Sequence, residues 1–222
     1  IQIPKEPKIR EIKDFKVRRL KSRKKDDRFR IDIPAIPEKN GILFFEFEAK
    51  EEDILLSEAF FATDKKPLNE VNLAACICTF KREAEVKRNI KMMTELYAKK
   101  EDSPLFGRLS IFVSDNGGTI APGEIKGARI FKNKNTGGSG GFTRAMIESV
   151  IRTGGFSHAI LMDDDILFDA RMLERVFAFL AYVKPKFRTS VLGGNYLSLQ
   201  QPHLLMVGNE NLSDHGIFGF DT

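Results

Sequence analysis

From Asn72 onward the hydrophobic period of the chain switches repeatedly between two values, and this alternation limits the possible folds more than any other feature. Asn72 to Thr79 is a continuous apolar run of strand length, as a strand covered on both faces requires. Val86, Ile90, Met93 and Tyr97 then recur at helical spacing and predict the buried face of a helix. Leu109 to Ser114 and Ala128 to Phe131 predict a second and a third strand, Gly141 to Arg152 a helix, and Ala159 to Met162 a fourth strand. Asp169 to Val183 predicts a further helix, with Asp169 as its N-cap and Leu173, Val176, Phe177 and Leu180 as its apolar stripe. A strand from Val191 closes the series. Strands alternating with helices imply the α/β class, a mostly parallel sheet with helices on both faces.

Before about Pro67 the pattern is different. Val17 and Leu20, then Phe29, Ile31 and Ile33 alternating with polar residues, then Ile42 to Phe47 and Ile54 to Phe61, read as strands separated by turn signals at Lys25 to Asp27, Pro34 to Gly41 and Ala49 to Asp53. This predicts a small antiparallel, β-sandwich-like sheet over residues 1–70, ahead of an α/β domain over residues 71–222. The start at Ile1, without Met or a signal-peptide pattern, leads us to expect a piece cut from a longer protein. The 222 residues suffice for one α/β domain and part of another, and 42% apolar with 30% charged residues excludes a disordered or low-complexity polypeptide. With 19 Phe against 3 Tyr and no Trp, the core is expected to be packed with Phe. No apolar run approaches membrane-spanning length.

Charge and cysteine usage narrow the function classes. Residues 1–30 hold 13 Lys and Arg against 5 Asp and Glu, so with a net charge of +5 the remaining 192 residues carry −3. A nucleic-acid protein would carry its positive surface through the functional domain, interleaved with stacking aromatics, whereas Lys13 to Arg30 contains only Phe15 and Phe29. Nucleic acid is therefore excluded as a partner. The basic segment reads either as a solvated strand face or as a contact for an anionic membrane surface or polymer. Cys76 and Cys78 share one face of a strand, cannot easily bridge, and lack the further soft ligands that zinc requires. They are expected to be structural thiols in a reduced, cytoplasmic protein.

In parallel sheets ligands bind outside the carboxyl ends of the strands. The first strand is followed by Thr79-Phe80-Lys81-Arg82, the second by Asp115-Asn116-Gly117-Gly118, the third by Asn133 to Gly141, and the fourth by Asp163-Asp164-Asp165. In extended backbone Asp163 and Asp165 point the same way, about 7 Å apart, and could flank one cation while Asp164 faces elsewhere. Two like charges at 4 Å repel by roughly 4 kcal/mol at an effective dielectric near 20, which a divalent cation turns into attraction. Oxygen-only ligands favour Mg²⁺ or Mn²⁺ shared with phosphates. The bland alternative is an acidic turn capping the next helix. Gly137, Gly138, Gly140 and Gly141 directly precede a predicted helix, which suits close approach of backbone N–H groups to phosphate or sugar hydroxyls, or merely a flexible turn. A phosphate loop would need Lys followed by Ser or Thr, and a dinucleotide fingerprint would need a third Gly where Thr143 stands. Arg144 could reach a diphosphate, pair with the Asp cluster, or be solvated.

Taken together, Thr79-x-x-Arg82, Asp115-Asn116-Gly117, Asn135-x-Gly137-Gly138-Ser139-Gly140-Gly141-Phe142-x-Arg144, Leu161-Met162-Asp163-Asp164-Asp165 and Gly193-Gly194 resemble family 2 glycosyltransferases of the GT-A fold. Within them the likeness is to the bacterial galactofuranosyltransferases that polymerise cell-wall galactan and carry a β-sandwich ahead of the catalytic domain. It covers roughly residues 40–210. The resemblance implies that Asp163 and Asp165 hold Mn²⁺ or Mg²⁺ on the diphosphate of a UDP-sugar, with Asp164 near the ribose or donor sugar. Thr79 and Arg82 would frame the uridine, Asp115 would lie at the base or ribose edge, and Asn135 with Gly137 to Gly141 would line the donor sugar and diphosphate. Neither His203 nor His215 matches the family's further metal ligand.

The implied reaction is an inverting displacement at the anomeric carbon. Its general base, catalytic residue unknown here, is expected beyond Thr222, since Asp214 and Asp221 are weak candidates. The chain is then the donor-binding half of a metal-dependent enzyme. Its partners are a UDP-sugar and a polysaccharide or lipid-linked glycan acceptor, with peripheral contact at the inner face of the cell membrane and a homo-oligomer both compatible with the sequence. Two alternatives stay open. One is another donor sugar, rhamnosyl or hexosyl; the other is a non-catalytic carbohydrate-binding or scaffold protein.

Overall fold

The computed structural model of the chain describes Ile33, residues 59–169, 171–194 and 196–201, and the strand segments Leu205–Val207, Asn211–Leu212 and Phe218–Gly219. The chain divides into two compact units, Ile1–Phe61 and Ala62–Thr222. Of the strands expected before Pro67, Ile33 and residues 59–61 are described and lie outside any strand; the remainder falls outside the described residues.

The second unit is built on four parallel strands, β1 (Leu73–Thr79), β2 (Leu109–Asp115), β3 (Arg129–Lys132) and β4 (His158–Asp163), in the order β3-β2-β1-β4. β1 has the most continuous apolar sequence and accordingly sits inside the sheet, paired on both sides. On one face Leu73, Ala75 and Ile77 of β1, Leu109, Ile111 and Val113 of β2, and Met162 of β4 form a core. The stripes of α1 (Glu83–Met93) and α3 (Met172–Tyr182) complete it: Val86, Ile90 and Met93 from α1, Tyr97 from the π-helical turn that follows, and Leu173, Phe177 and Leu180 from α3. Val176 is only partly buried against this cluster.

The opposite face is lined by the small side chains Ala74 and Cys76 with Phe112, against Ala145 of α2 (Gly137–Met146). Phe131 and Phe156 flank Phe112, the first stacked at 6.4 Å and the second edge-on at 5.4 Å. Full burial of Phe112 contributes about 1.5–3 kcal/mol. Small residues on β1 leave room for α2 to approach closely, and that closeness positions the site described below.

Three expectations change. The glycine stretch does not precede a helix; it forms the first turns of α2, which continues as a π-helical turn over Ile147–Thr153. Asp169 does not cap α3 with its side chain. Arg171 holds the cap position, and Asp169 instead forms the preceding turn, its Oδ1 accepting from the Arg171 N–H at 2.9 Å and its carbonyl from the Met172 N–H. Residues 191–194 are exposed and outside any strand; the next strand, β5 (Tyr196–Leu197), pairs antiparallel with β6 (Leu205–Val207). Among the described residues β4 is a half-exposed edge strand of the sheet. β7 (Asn211–Leu212) and β8 (Phe218–Gly219) form a separate two-stranded pair.

Candidate functional site

In the order β3-β2-β1-β4 the chain steps outward from β1 to β3 and then returns to the other side of β1, so the strand order reverses between β1 and β4. Helices that begin at this edge start on opposite faces, α1 on the Leu73–Ile77 face and α2 on the Ala74–Cys76 face, and between them the carboxyl ends of β1 and β4 border a crevice. Thr79 to Arg82 and Asp163 to Asp165 stand at that crevice.

Asp163 ends β4, and Asp164 and Asp165 form the turn that follows. Asp163 and Asp165 are exposed and Asp164 is buried. Asp164 turns toward the α1 side, where its Oδ2 accepts the Thr79 hydroxyl at 2.8 Å and its Oδ1 accepts Arg82 Nη1 at 3.3 Å. Arg82 also pairs with Asp165. Thr79, expected to frame a uridine, and Asp164, expected near the ribose or sugar, are thus engaged with each other beneath the crevice. Their hydrogen bond fixes the outward aim of the two flanking carboxylates. Burial pushes the Asp163 carboxyl above the usual range, with Asp165 and Asp164 adding repulsion and Arg82 opposing it. Hydrogen bonding to Asp165 holds the Arg82 guanidinium more firmly protonated. Between Asp164 and Arg82 the backbone of Lys81 adopts φ of 57°, a left-handed conformation uncommon for a side-chain-bearing residue and of the kind that clusters at functional sites.

The glycine-rich start of α2 borders the same crevice. A Cβ on Gly141 would lie 2.1 Å from Cys78 Sγ and 3.0 Å from its Cβ, so only glycine lets the helix rest on the end of β1. Cys78 is in register with Asp163 on the adjacent strand and shares its face. The acids and the glycine helix are therefore separated by one side chain, and Asp163 and Asp164 with burial push the Cys78 thiol up. Gly137 enters α2 with φ of 69°, its N–H donating to Asn135 Oδ1 at 3.2 Å. No side chain caps α2, so N–H groups of its first turn point to the exposed end. Gly138 and Ser139 are exposed there. Asn135 serves the turn, and the bare helix end supplies the anion-friendly dipole.

Asp115 is placed otherwise than expected. It is fully buried, with Oδ1 accepting the N–H groups of Gly117 and Gly118 and Oδ2 that of Ile120. It shapes the turn after β2 instead of facing the crevice. Arg144 does not pair with the Asp cluster: its Nε lies 2.8 Å from Oε1 of buried Glu148, an ion pair off the line of a directed hydrogen bond. Arg152 shares that oxygen at 2.5 Å.

Two supporting residues went unread in the sequence. Fully buried Asn89 on α1 donates to the carbonyls of Asp164 at 2.9 Å and Ile166 at 3.1 Å, holding the acidic turn from below. The available signal was a polar residue inside the apolar stripe between Val86 and Ile90. Asn116 donates to the Gly137 carbonyl at 3.0 Å and accepts from Asn133 at 2.9 Å, joining the ends of β2 and β3 to α2.

Among the described residues no three His, Cys, Asp or Glu side chains are arranged around a common cation position. Asp163 and Asp165 offer two outward carboxylates, and the triplet carries three negative charges against the single Arg82 guanidinium. That donor set fits a hard divalent cation whose remaining positions are filled by phosphate oxygens or water.

No family model matches the chain. Over 190 residues it is 30% identical to galactofuranosyltransferase GlfT2 of Mycobacterium tuberculosis (strain ATCC 25618 / H37Rv), covering 82% of this chain and 28% of that protein. Over 193 residues it is 28% identical to galactofuranosyltransferase GlfT2 of Mycolicibacterium smegmatis (strain ATCC 700084 / mc(2)155), covering 81% and 28%. The chain is similar to glycosyltransferases. It spans 28% of the length of these relatives, and the likeness supports a glycosyltransferase role. Among the described residues no helix is long and apolar enough to cross a membrane.

Proposed function

We propose that this chain forms the donor-binding part of a metal-dependent, inverting glycosyltransferase that takes galactofuranose from a UDP-sugar and delivers it to a cell-surface polysaccharide or glycolipid. The observation that carries the reading is the pair of outward carboxylates, Asp163 and Asp165, at the crevice between β1 and β4, one side chain away from the uncapped glycine end of α2. Similarity to two galactofuranosyltransferases supports the choice of sugar.

In this reading Asp163 and Asp165 hold Mn²⁺ or Mg²⁺, which when bound offsets the charge that develops on the departing UDP. Arg82, anchored by Asp164 and Asp165, adds a fixed positive charge at the crevice mouth. The first-turn N–H groups of α2 bind phosphate oxygens or sugar hydroxyls without needing to reorganise, because Gly141 and Asn116 hold the helix end against β1 and β2. Thr79 and Asn89 act one layer below, fixing the turn that aims the carboxylates.

Calorimetry of the chain with UDP in the presence of Mn²⁺ tests this. Binding that disappears on chelation, and in the Asp163→Asn/Asp165→Asn variant, is expected. UDP binding that ignores both the metal and these substitutions would remove the basis of the reading.

A further inference from the structure

At the opposite edge of the sheet from the acidic triplet, an open cavity of about 540 Å³ is lined by Lys132, Asn133, Lys134, Thr136 and Arg144. No carboxylate lines it. Lys132 and Lys134 are exposed at the carboxyl end of β3, and among the described residues no ion pair engages either of them. Behind them Arg144 and Arg152 share one buried carboxylate, that of Glu148, so the pair retains one unbalanced positive charge. The Arg144 guanidinium is further held over the Phe131 ring, 6.0 Å from its centroid, in a fixed orientation. Asn133 is likewise fixed by Asn116, so a rigid wall carries the two flexible lysines. Three cationic side chains with Thr and Asn donors make a receptor for a phosphate-type anion, which accepts many hydrogen bonds at once.

Position separates this cavity from the crevice. β3 and β4 lie at opposite edges of a four-stranded sheet, three strand spacings or roughly 14 Å apart. The cavity and the crevice share the start of α2 through Thr136, but a diphosphate seated on Asp163 and Asp165 would approach it from the β4 side and leave Lys132 and Lys134 on the β3 side free. We propose that the Lys132–Lys134–Arg144 cavity binds a second phosphate or diphosphate group, carried by a molecule other than the nucleotide donor. Binding of the anion needs no metal and no nucleotide; that its carrier is not the donor rests on the reading above.

The probe is inorganic pyrophosphate, titrated calorimetrically into the 222-residue chain in the presence of a chelator. Saturable binding that weakens with added salt is expected, with the Lys132→Ala/Lys134→Ala variant about tenfold weaker. Lys65→Ala/Lys66→Ala, which removes the same charge elsewhere, is expected to bind as the parent does. Both lysine pairs are exposed, and circular dichroism with a thermal melt verifies that each variant is folded. Asp163→Asn/Asp165→Asn is expected to keep its pyrophosphate affinity within about twofold, being at the far edge of the sheet. Absence of binding in the parent, or equal weakening in the two lysine variants, would overturn the proposal, the latter by exposing diffuse charge attraction. A parallel UDP titration with Mn²⁺ distinguishes the source of the anion. Unchanged UDP affinity in Lys132→Ala/Lys134→Ala supports a second molecule, whereas an equal loss assigns the cavity to the donor's own diphosphate and also overturns the proposal. Failure of UDP to bind the parent protein would instead count against the glycosyltransferase reading alone.

Discussion

Thr79 and Asp164 stand 85 positions apart in sequence, and a 2.8 Å hydrogen bond from the Thr79 hydroxyl to the Asp164 carboxylate joins the ends of β1 and β4 where the strand order reverses. Both residues are buried, so the bond cannot be exchanged freely for water. Thr79→Val keeps the shape and removes the donor. Leaving a buried carboxylate short of one partner costs about 1–3 kcal/mol, to be read as a lower midpoint in urea. UDP–Mn²⁺ affinity should fall as well, since the turn that aims Asp163 and Asp165 loosens. An unchanged midpoint would show that Arg82 alone suffices to hold Asp164.

Asn89 holds the same turn through its backbone. Asn89→Leu fits the apolar stripe of α1 but strips partners from the carbonyls of Asp164 and Ile166, for a loss of about 1–3 kcal/mol despite the gain in hydrophobicity. A stability equal to the parent's in chemical denaturation would mean that these carbonyls find other donors.

Gly141 tests the approach of α2 to β1. Gly141→Ala improves helix propensity by about 1 kcal/mol, yet its methyl would collide with Cys78 Sγ. Forcing an extra methyl into packed contact costs about 1–3 kcal/mol, so net destabilisation is expected, with partial recovery when Cys78→Gly is added. Thermal melts of the single and double variants decide it; a stabilised Gly141→Ala would refute close packing here.

Asp163 makes the metal-free chain sensitive to pH. Burial and the neighbouring Asp165 and Asp164 raise its pKa, so the folded state keeps a proton that the unfolded chain has already lost. Stability conferred by that extra bound proton is present below the ordinary Asp value and is lost as pH rises through the raised one. Thermal melts in chelator across the acidic range should show a steeper decline with rising pH for the parent than for Asp163→Asn. Mn²⁺ should reverse the trend by favouring the ionised form, and parallel curves for the two proteins would contradict this.

Reading the sequence reached the elements whose physics is local. Leu73–Thr79 and Leu109–Asp115 were legible because a strand buried on both faces must be apolar throughout, and the α1 face because Val86, Ile90 and Met93 recur at helical spacing. The start of α2 was not legible. Four glycines disfavour a helix by roughly 1 kcal/mol each, and only contact with Cys78 explains why the helix begins among them.

The acidic triplet shows the same division within three residues. Strand alternation predicts Asp163 and Asp165 outward and Asp164 inward, and the exposures agree, although Asp164 and Asp165 lie in the turn after β4. Asp115 closing its own turn and Arg144 joining Glu148 at i,i+4 are local contacts as well, whereas the partners that meet Asp164 were decided only when β1, α1 and β4 packed together. Hydrogen-bond partners in three dimensions depend on the sheet order, and no local pattern encodes that order.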